Sequence, residues 1–236
     1  MALTMQQKED ILNIYADMRV TDVRDGMDWM GYHHYGSMSK HMRPLQRAKA
    51  MGFAKTARYI PYDKPVPQGM IGAAYTEWSS WFYKEVCIYP WMKEVEKYDF
   101  PVIDQSRLNV GLMGSANSMA PMIKGAAGFV LNGGIRDTDE VLIEKIPVWS
   151  LGIAQTMDQA RIQYESHNTK INCDGVCVCP GDLVVADGDG VIVVPQDMIN
   201  DVAKWATQEM RNDKKGRRKM YIALGLPLDE TVEIKE

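Results

Sequence analysis

Arg136 and Asp137 are the adjacent residues whose types most clearly suggest chemistry. They stand in the stretch GGIRDTDE, residues 133–140, which directly follows a short apolar run, AAGFVL. A carboxylate beside a guanidinium can hold Mg²⁺ or Mn²⁺ while the guanidinium binds an anionic ligand through paired hydrogen bonds. Because the pair comes after a strand-like run and before a helix-like one, we expect it at a carboxyl end of a strand, where α/β proteins bind ligands.

The same stretch also fits an ordinary helix start. In DTDE, Asp137 would be the N-cap and Glu140 the third helical residue, which is the pattern of a capping box. Arg136 would then only pair with an acidic neighbour at the surface. From these residues alone both interpretations stay open, since helix starts and anion sites use the same exposed amides.

A glycine-rich stretch, GLMGSANS at residues 111–118, supplies a second candidate element. It precedes a helix-like segment, and the unpaired amides of a first helical turn bind anions. Between Gly114 and Arg136 there are 21 residues. One strand, loop and helix could therefore present the amides, the arginine and the aspartate to the same ligand.

Other kinds of reaction centre find no support in the sequence. The four histidines lack the spacing of a helical zinc site, and there is no GxSxG elbow, Walker loop or dinucleotide fingerprint. The four cysteines make a poor disulfide framework, and CDGVCVC lacks the spacing of a zinc site. We interpret the cysteines as small buried thiols.

Composition narrows the class of protein. The chain has 236 residues, 46% of them hydrophobic, and a net charge of −4, so a sizeable core is expected and nucleic acid is not. The N-terminus does not resemble a signal peptide, and no apolar run is long enough to cross a bilayer. We therefore expect a cytoplasmic protein without a membrane partner. The basic run KKGRRK, residues 214–219, is interpreted as a solvated helix face.

Short strand-like and helix-like runs alternate along the chain and indicate an α/β fold in one domain, residues 1–236. Residues 1–50 form an N-terminal helical segment with N-caps predicted at Thr4 and Thr21, and a long amphipathic helix is predicted over about residues 197–224. Residues 75–100 are an insert-like aromatic block. It is either a helix pair buried against the core or a subunit, or a stacking wall for a substrate.

Several of these segments together resemble the RraA-like family, which includes the 4-hydroxy-4-methyl-2-oxoglutarate (HMG) aldolases. The resemblance rests on VTDVRDGMDWMG, MRPLQRAKAMGFAKTARYIPYD, Gly114, KGAAGFVLNGGIRDTDE, PVW and VCVCPGDLVVADGDGVIVVP, in that order. These segments span most of the chain, and the aromatic block fits least well.

The resemblance implies a swivelling β/β/α fold, assembled as trimers or hexamers with sites between subunits. It also implies a class II pyruvate aldolase. Asp137 would bind Mg²⁺ or Mn²⁺, Arg136 would contact the bound keto acid, and the loop Gly114, Ser115, Ala116 and Asn117 would bind its carboxylate through backbone amides. The metal would polarise the keto oxygen, so that breaking the adjacent carbon–carbon bond leaves a stabilised enolate.

The sequence departs from the aldolase pattern at two positions. Ser115 stands where an acidic residue usually follows the loop glycine, and Asn132 stands where an aspartate is usual. Glu209 and Asp213 are candidates for an acid donated across an interface, and Asn117 or Asp139 for compensating ligands. Two alternatives therefore stay open: a non-catalytic binding protein like the family's regulators of endonuclease E, or another lyase or hydrolase using metal-bound water.

Overall fold

An eight-stranded sheet forms the centre of the computed structural model, which describes residues 3–234. Its strands are β1 Arg43–Pro44, β2 Ala50–Pro61, β3 Asp99–Asp104, β4 Phe129–Ile135, β5 Val148–Ile153, β6 Ile162–His167, β9 Leu183–Asp187 and β10 Gly190–Val194, while β7 Ile171–Cys173 and β8 Val176–Val178 form a separate hairpin. The helices are α1 Met5–Tyr15, α2 Val20–Trp29, α3 Ala73–Glu85, α4 Ser115–Ile123, α5 Thr138–Ile143 and α6 Ile199–Leu224, with 3-10 helices at Pro90–Glu94 and Gln196–Met198. The predicted mixed α/β class with a long C-terminal helix is confirmed.

The sheet has the order β1-β5-β4-β3-β2-β9-β10, and β6 also pairs with β2. Strands β2 to β5 run parallel to one another, and β1, β6, β9 and β10 join antiparallel. Ser37 forms an isolated bridge to Ile192 of β10, so the two edge strands approach each other and the sheet nearly closes. All residues of β3 and β4 are buried, as expected for parallel strands covered on both faces.

The parallel strands carry the connections that matter for function. The chain leaves β2, β3, β4 and β5 at one edge of the sheet, because parallel neighbours end on the same side. Backbone hydrogen bonds tie these exits together, from Arg136 N to Met113 O at 3.1 Å and from Gly111 N to Thr156 O at 3.1 Å. The loops after β3, β4 and β5 are therefore held side by side.

Three hydrophobic clusters surround the sheet. One lies beneath the aromatic block, α4 and α5, a second fills the space enclosed by the sheet and the β7–β8 hairpin, and a third joins α1, α2 and α6 to β9 and β10. The predicted N-terminal helices thus belong to the third cluster. Within it Tyr15 and Met18 are fully buried, whereas the neighbouring Ile14 is half exposed.

The two predicted N-caps had different outcomes. Thr4 and Gln7 form the expected capping box, with Gln7 N donating to Thr4 Oγ1 at 3.2 Å. The prediction of Thr21 as the second N-cap is wrong, because α2 begins at Val20. There the Asp22 carboxylate accepts the backbone N–H of Arg19 at 2.8 Å and its guanidinium at 2.6 Å. The N-cap is therefore Arg19, two residues before Thr21, and the Asp22 carboxylate performs the capping that a hydroxyl was expected to perform.

Two of the buried-thiol predictions are also confirmed and one is wrong. Cys87 and Cys173 are buried, Cys179 is half-buried, and Cys177 is exposed. The exposure of Cys177 follows from its place in the middle of the short β8 strand, whose neighbours Val176 and Val178 point inward. Within residues 3–234, no helix is long and apolar enough to cross a membrane.

Gly26 and Gly216 should respond oppositely to substitution by alanine. A Cβ on Gly26 would lie 2.8 Å from Ala206 N and 2.9 Å from Val202 O, where α2 crosses α6. A Cβ on Gly216, within α6, would meet nothing within 4 Å. We expect Gly26→Ala to destabilise the fold by about 1–3 kcal/mol through overpacking, and Gly216→Ala to stabilise it by about 0.5–1 kcal/mol through helix propensity. Urea unfolding of both variants measures this, and equal shifts would contradict the close α2–α6 contact.

The Glu94 carboxylate anchors the end of the aromatic block to the sheet. It accepts hydrogen bonds from His167, Lys55 and Asn168, and these lower its pKa from 4.5 to about 2. A carboxyl whose pKa is lowered on folding stabilises the native state above its unfolded pKa, and this contribution is lost as pH falls through the folded value. We therefore expect Glu94→Gln to lower the urea midpoint at pH 7, and the deficit to shrink between pH 4.5 and 2. A deficit independent of pH would show that the charge contributes nothing.

Candidate active site

The loops after the parallel strands enclose a cavity of about 370 Å³. They meet there because β3, β4 and β5 end at the same edge of the sheet, and α3 covers the opening from the connection after β2. The cavity is lined by Tyr83, Tyr89, Gly111, Leu112, Gly114, Ala116, Asn117, Arg136, Asp137 and Asp158. Five of the six predicted site residues are therefore together; the sixth, Ser115, is adjacent but does not line the cavity.

Asp137 occupies the N-cap position of α5 without acting as a cap. Its backbone is left-handed, with φ 52° and ψ 42°, and its side chain accepts no capping hydrogen bond. The capping box predicted for DTDE is thus wrong, because a left-handed N-cap aims its carboxylate away from the helix amides. Aspartate tolerates this conformation better than most residues. A capping box would have engaged the Asp137 carboxylate with the amides of α5, but here the carboxylate faces the cavity.

The absence of side chains at Gly111 and Gly114 makes room for the Arg136–Asp137 pair. A Cβ on Gly114 would stand 2.3 Å from Asp137 Oδ2, and one on Gly111 would stand 2.6 Å from Arg136 Cδ. Neither glycine has a positive φ, so close approach rather than backbone freedom explains them. The loop after β3 is therefore shaped around the two charged side chains.

The ion pair itself is loose. Arg136 Nε lies 3.3 Å from Asp137 Oδ1 and 3.4 Å from Oδ2, and both side chains remain about one-third exposed, at 33% and 38%. Much of the guanidinium fork is thus free to bind an anion. Among the lining residues that the structure describes, Arg136 is the one cationic side chain.

The first turn of α4 supplies the predicted amide loop. Gly114 is its N-cap, and the first helical bond runs from Ser118 N to Gly114 O at 3.0 Å. The amides of Ser115, Ala116 and Asn117 precede that bond and have no acceptor within the helix. Together with the helix dipole they favour a negative charge at this end of the cavity.

The two positions that depart from the aldolase pattern have local partners. Ser115 Oγ donates to Glu144 Oε1 at 2.6 Å, so a carboxylate is held beside the start of α4 after all. Asn132 is buried in β4 and donates through Nδ2 to Asp104 Oδ1 at 2.8 Å. Neither Glu144 nor Asn132 lines the cavity.

The other candidate metal ligands are dispersed. Asn117 lines the cavity and donates through Nδ2 to Leu112 O at 3.0 Å, which leaves its Oδ1 as the remaining polar atom. Asp139 lies in the first turn of α5 outside the lining. Asp213, on α6, pairs with Arg19 at 2.9 Å, and Glu209 lies one turn earlier. Neither α6 acid reaches the cavity of its own chain.

The aromatic block is packed against the core, as one of the two predicted alternatives has it, and it also lines the cavity. Its second half is a short 3-10 helix rather than a full helix, and Trp81 is 45% exposed while Phe82 is buried. The block presents phenols instead of a stacking tryptophan, through Tyr83 and Tyr89. Burial, and in second place the nearby thiol of Cys87 or carboxylate of Asp158, raises the pKa of both hydroxyls well above the ordinary value, so they stay protonated at neutral pH.

Asp158 is the cavity residue that the sequence analysis missed. It is 3% exposed and accepts hydrogen bonds from Tyr83 Oη at 2.7 Å, from Tyr89 Oη at 2.5 Å and from Cys87 Sγ at 3.6 Å. The available signal was its place a few residues after IPVWS, at the exit of the strand beside β4. A carboxylate there shares an edge with Asp137.

These residues suit a hydrated cation better than a closed cage. Within residues 3–234 no three His, Cys, Asp or Glu side chains are grouped as a metal site. Mg²⁺, however, is commonly held by one or two carboxylates while water and substrate complete its shell. The uncapped Asp137 carboxylate, which lines the cavity, provides such a ligand.

The chain is similar in sequence to several known proteins. Residues 20–193 match the model of the RraA-like family, described as Aldolase/RraA. Protein DlpA of Legionella pneumophila is 26% identical over 95% of this chain and 33% of its own length. The 4-hydroxy-4-methyl-2-oxoglutarate aldolase of Thermus thermophilus is 30% identical over 38% of this chain and 54% of its own length. The chain thus spans between a third and about half of these curated relatives.

A solved structure extends the likeness to the fold. Streptomyces coelicolor RraAS2, described as an unusual member of the RNase ES inhibitor RraA protein family, superposes with a TM-score of 0.70 at 22% identity. The superposition covers 88% of this chain and 96% of that one. At this identity the likeness concerns the arrangement of helices and strands alone.

Proposed function

Because this chain belongs to the RraA-like family, we propose that it is a divalent-metal-dependent carbon–carbon lyase acting on a 2-keto acid or a sugar-derived acid. One observation carries the proposal: a free guanidinium, an uncapped carboxylate and a helix N-terminus line the same cavity. Structural capping would have engaged the Asp137 side chain with the amides of α5. A binding surface for a protein would not require an arginine, an uncapped aspartate and a helix N-terminus to line one cavity.

The substrate carboxylate is expected at the start of α4. The amides of Ser115, Ala116 and Asn117 can donate to it, and Arg136 can donate to the neighbouring keto oxygen. This placement sets the keto carbon between the helix N-terminus and the Arg136–Asp137 pair. Orientation of this kind contributes to catalysis by holding the reacting bond in a productive geometry.

Cleavage of the carbon–carbon bond requires stabilisation of the negative charge that develops on the keto oxygen. In a 4-hydroxy-2-keto acid the C4 hydroxyl loses its proton, the C4 carbonyl forms, and the C3–C4 bond breaks with its electron pair moving into the C2–C3 enolate. A proton added at C3 gives pyruvate, so atoms and charge balance. The Arg136 guanidinium faces the oxygen where negative charge develops and would stabilise it.

Asp137 would hold the metal ion, Mg²⁺ or Mn²⁺. When bound, such an ion supplies Lewis-acid polarisation of the keto group. Glu144, held by Ser115 beside the start of α4, and Asn117 are the nearby oxygen-bearing side chains that would contact its water shell. The chain's own contribution is to place these oxygens and to exclude solvent with Tyr83 and Tyr89.

The decisive experiment measures pyruvate release from HMG and from oxaloacetate with Mg²⁺, Mn²⁺ or EDTA, for the wild type and Asp137→Ala. Turnover that needs metal and is lost in the variant would support the lyase. Calorimetric titration with Mn²⁺ provides a readout independent of activity. No turnover on any keto acid, together with no metal binding, would refute the lyase and favour a regulatory binding role. RraAS2 is described as a member of such an inhibitor family.

We also propose assembly into homotrimers or homohexamers. The helices beside the cavity, α4 and α5, leave large apolar side chains uncovered, with Ile123 87% and Ile143 80% exposed. Exposed apolar patches of this kind mark protein contacts. A neighbouring subunit would bury them and could bring an acid such as Glu209 or Asp213 to the site. Sedimentation equilibrium measures the mass, and a monomer would refute the assembly.

A further inference from the structure

One wall of the cavity is built from Tyr83, Tyr89 and Asp158. Asp158 accepts hydrogen bonds from both phenols, one on each carboxylate oxygen, and none of the salt bridges formed within residues 3–234 involves it. A buried carboxylate without a cation depends on such donors for its stability. Tyr89 Oη also lies 3.3 Å from Leu112 O, but its shorter hydrogen bond is to Asp158, so both phenolic protons are directed to Asp158.

The direction of these protons decides which hydrogen bonds the wall can form with a ligand. A tyrosine hydroxyl has one proton to donate and lone pairs to accept with. Since the protons of Tyr83 and Tyr89 point to Asp158, only acceptor lone pairs remain for the cavity. Burial keeps both phenols protonated and neutral, so their orientation persists at neutral pH.

The charge distribution in the cavity also disfavours a second carboxylate on the substrate. Arg136, the single cation among its described lining residues, already faces Asp137 and the expected position of the keto acid. A second carboxylate at the far end of a substrate that lies against this wall would meet the Asp158 carboxylate and two acceptor oxygens. A hydroxyl at the same place would donate to those oxygens.

We propose that the wall formed by Tyr83, Tyr89 and Asp158 selects 2-keto acids whose distal end is uncharged and hydroxylated, and rejects distal carboxylates. This inference rests on the proposed lyase function and names its substrate class. A 4-hydroxy-2-keto acid with a polyol tail fits, while HMG, with its second carboxylate, fits poorly. A site built for hydrogen-bond donors discriminates strongly against analogues that lack them.

The test compares pyruvate release from 2-keto-3-deoxygluconate, which ends in a polyol, with release from HMG, under the same metal. We expect kcat/KM to favour the polyol acid by about tenfold or more. Higher activity on HMG would overturn the inference while leaving the lyase function standing. Absence of cleavage of both acids would refute the proposed function, and the inference with it.

Variants assign the preference to the wall. Asp158→Asn removes the charge and adds an amide donor, so we expect the ratio between the two acids to fall by about tenfold. Tyr89→Phe should lower kcat/KM for the polyol acid more than kcat/KM for HMG, and so lower the ratio between them. Tyr75→Phe is the control, because Tyr75 lies on α3, the helix that carries Tyr83, and donates to Gln159 outside the cavity.

Folding is checked separately from specificity. Thermal melts of each variant identify any that fail to fold, and Tyr83→Phe serves as a second phenol variant if Asp158→Asn is unstable. A merely structural role for the wall would lower kcat/KM for both acids equally. An unchanged ratio in both Asp158→Asn and Tyr89→Phe would overturn the assignment.

Discussion

Replacing Arg136 by alanine is expected to reduce kcat/KM for pyruvate release by about a thousandfold, a loss typical of removing a preorganised donor to a developing oxyanion. Within the described lining of the cavity no other cation can take over this task. The loss should appear mainly in kcat, because the substrate carboxylate is still held by the amides of α4. Steady-state kinetics on a cleaved keto acid measures it.

Two further variants sharpen this prediction. Arg136→Lys keeps the charge but not the planar fork, so we expect it to recover only part of the activity. Arg47→Ala removes an exposed guanidinium that does not line the cavity and should leave kcat/KM unchanged. A fully active Arg136→Ala would show that the guanidinium takes no part in the reaction.

The second large effect is expected at Gly114, a residue with no side chain to do chemistry. Adding one methyl group would place it 2.3 Å from Asp137 Oδ2 and 3.1 Å from Arg136 Cγ. The carboxylate must then move, and a displacement of about 1 Å in a catalytic group can cost about a hundredfold in rate. We expect Gly114→Ala to lose turnover and Mn²⁺ affinity together while its thermal melt stays close to the wild type.

Gly152→Ala is the matched control for this substitution. Gly152 lies in β5, on the neighbouring strand, and a Cβ there would meet nothing within 4 Å. Its activity should therefore be unchanged. Loss of turnover in Gly114→Ala with unchanged metal affinity would place the damage in substrate binding at the amide loop rather than at Asp137.

Periodicity and turn residues were sufficient to predict the alternating strands and helices, the Thr4 cap and the C-terminal helix. They could not predict β6, whose polar sequence is explained by pairing with β2 and by the Glu94 contacts. The Thr21 cap was wrong because a salt bridge between Arg19 and Asp22 competes with hydroxyl capping, and short-range patterns do not rank the two.

The site, too, was only partly predictable from the sequence. Residues adjacent in sequence, Arg136 and Asp137, could be recognised from their types and from the family resemblance. Asp158, Tyr83 and Tyr89 could not, because their meaning depends on hydrogen bonds across 69 to 75 residues of chain. The predicted capping box at Asp137 was wrong for a different reason. The left-handed backbone of Asp137 turns its side chain away from the helix amides, and the residue types in DTDE do not predict that conformation.

Because α3 lies in the connection between β2 and β3, the phenols and the reacting groups come from different strand connections and can change independently in evolution. The reacting groups come from the exits of β3 and β4, whereas the phenols come from a connection that can be lengthened or exchanged without disturbing any strand. Asp158 is the exception, since it would become an unsatisfied buried anion if the phenols were lost. Evolution, or a designer grafting another connection, must therefore change position 158 in the same step as residues 83 and 89. Homologous chains should show these three positions varying together.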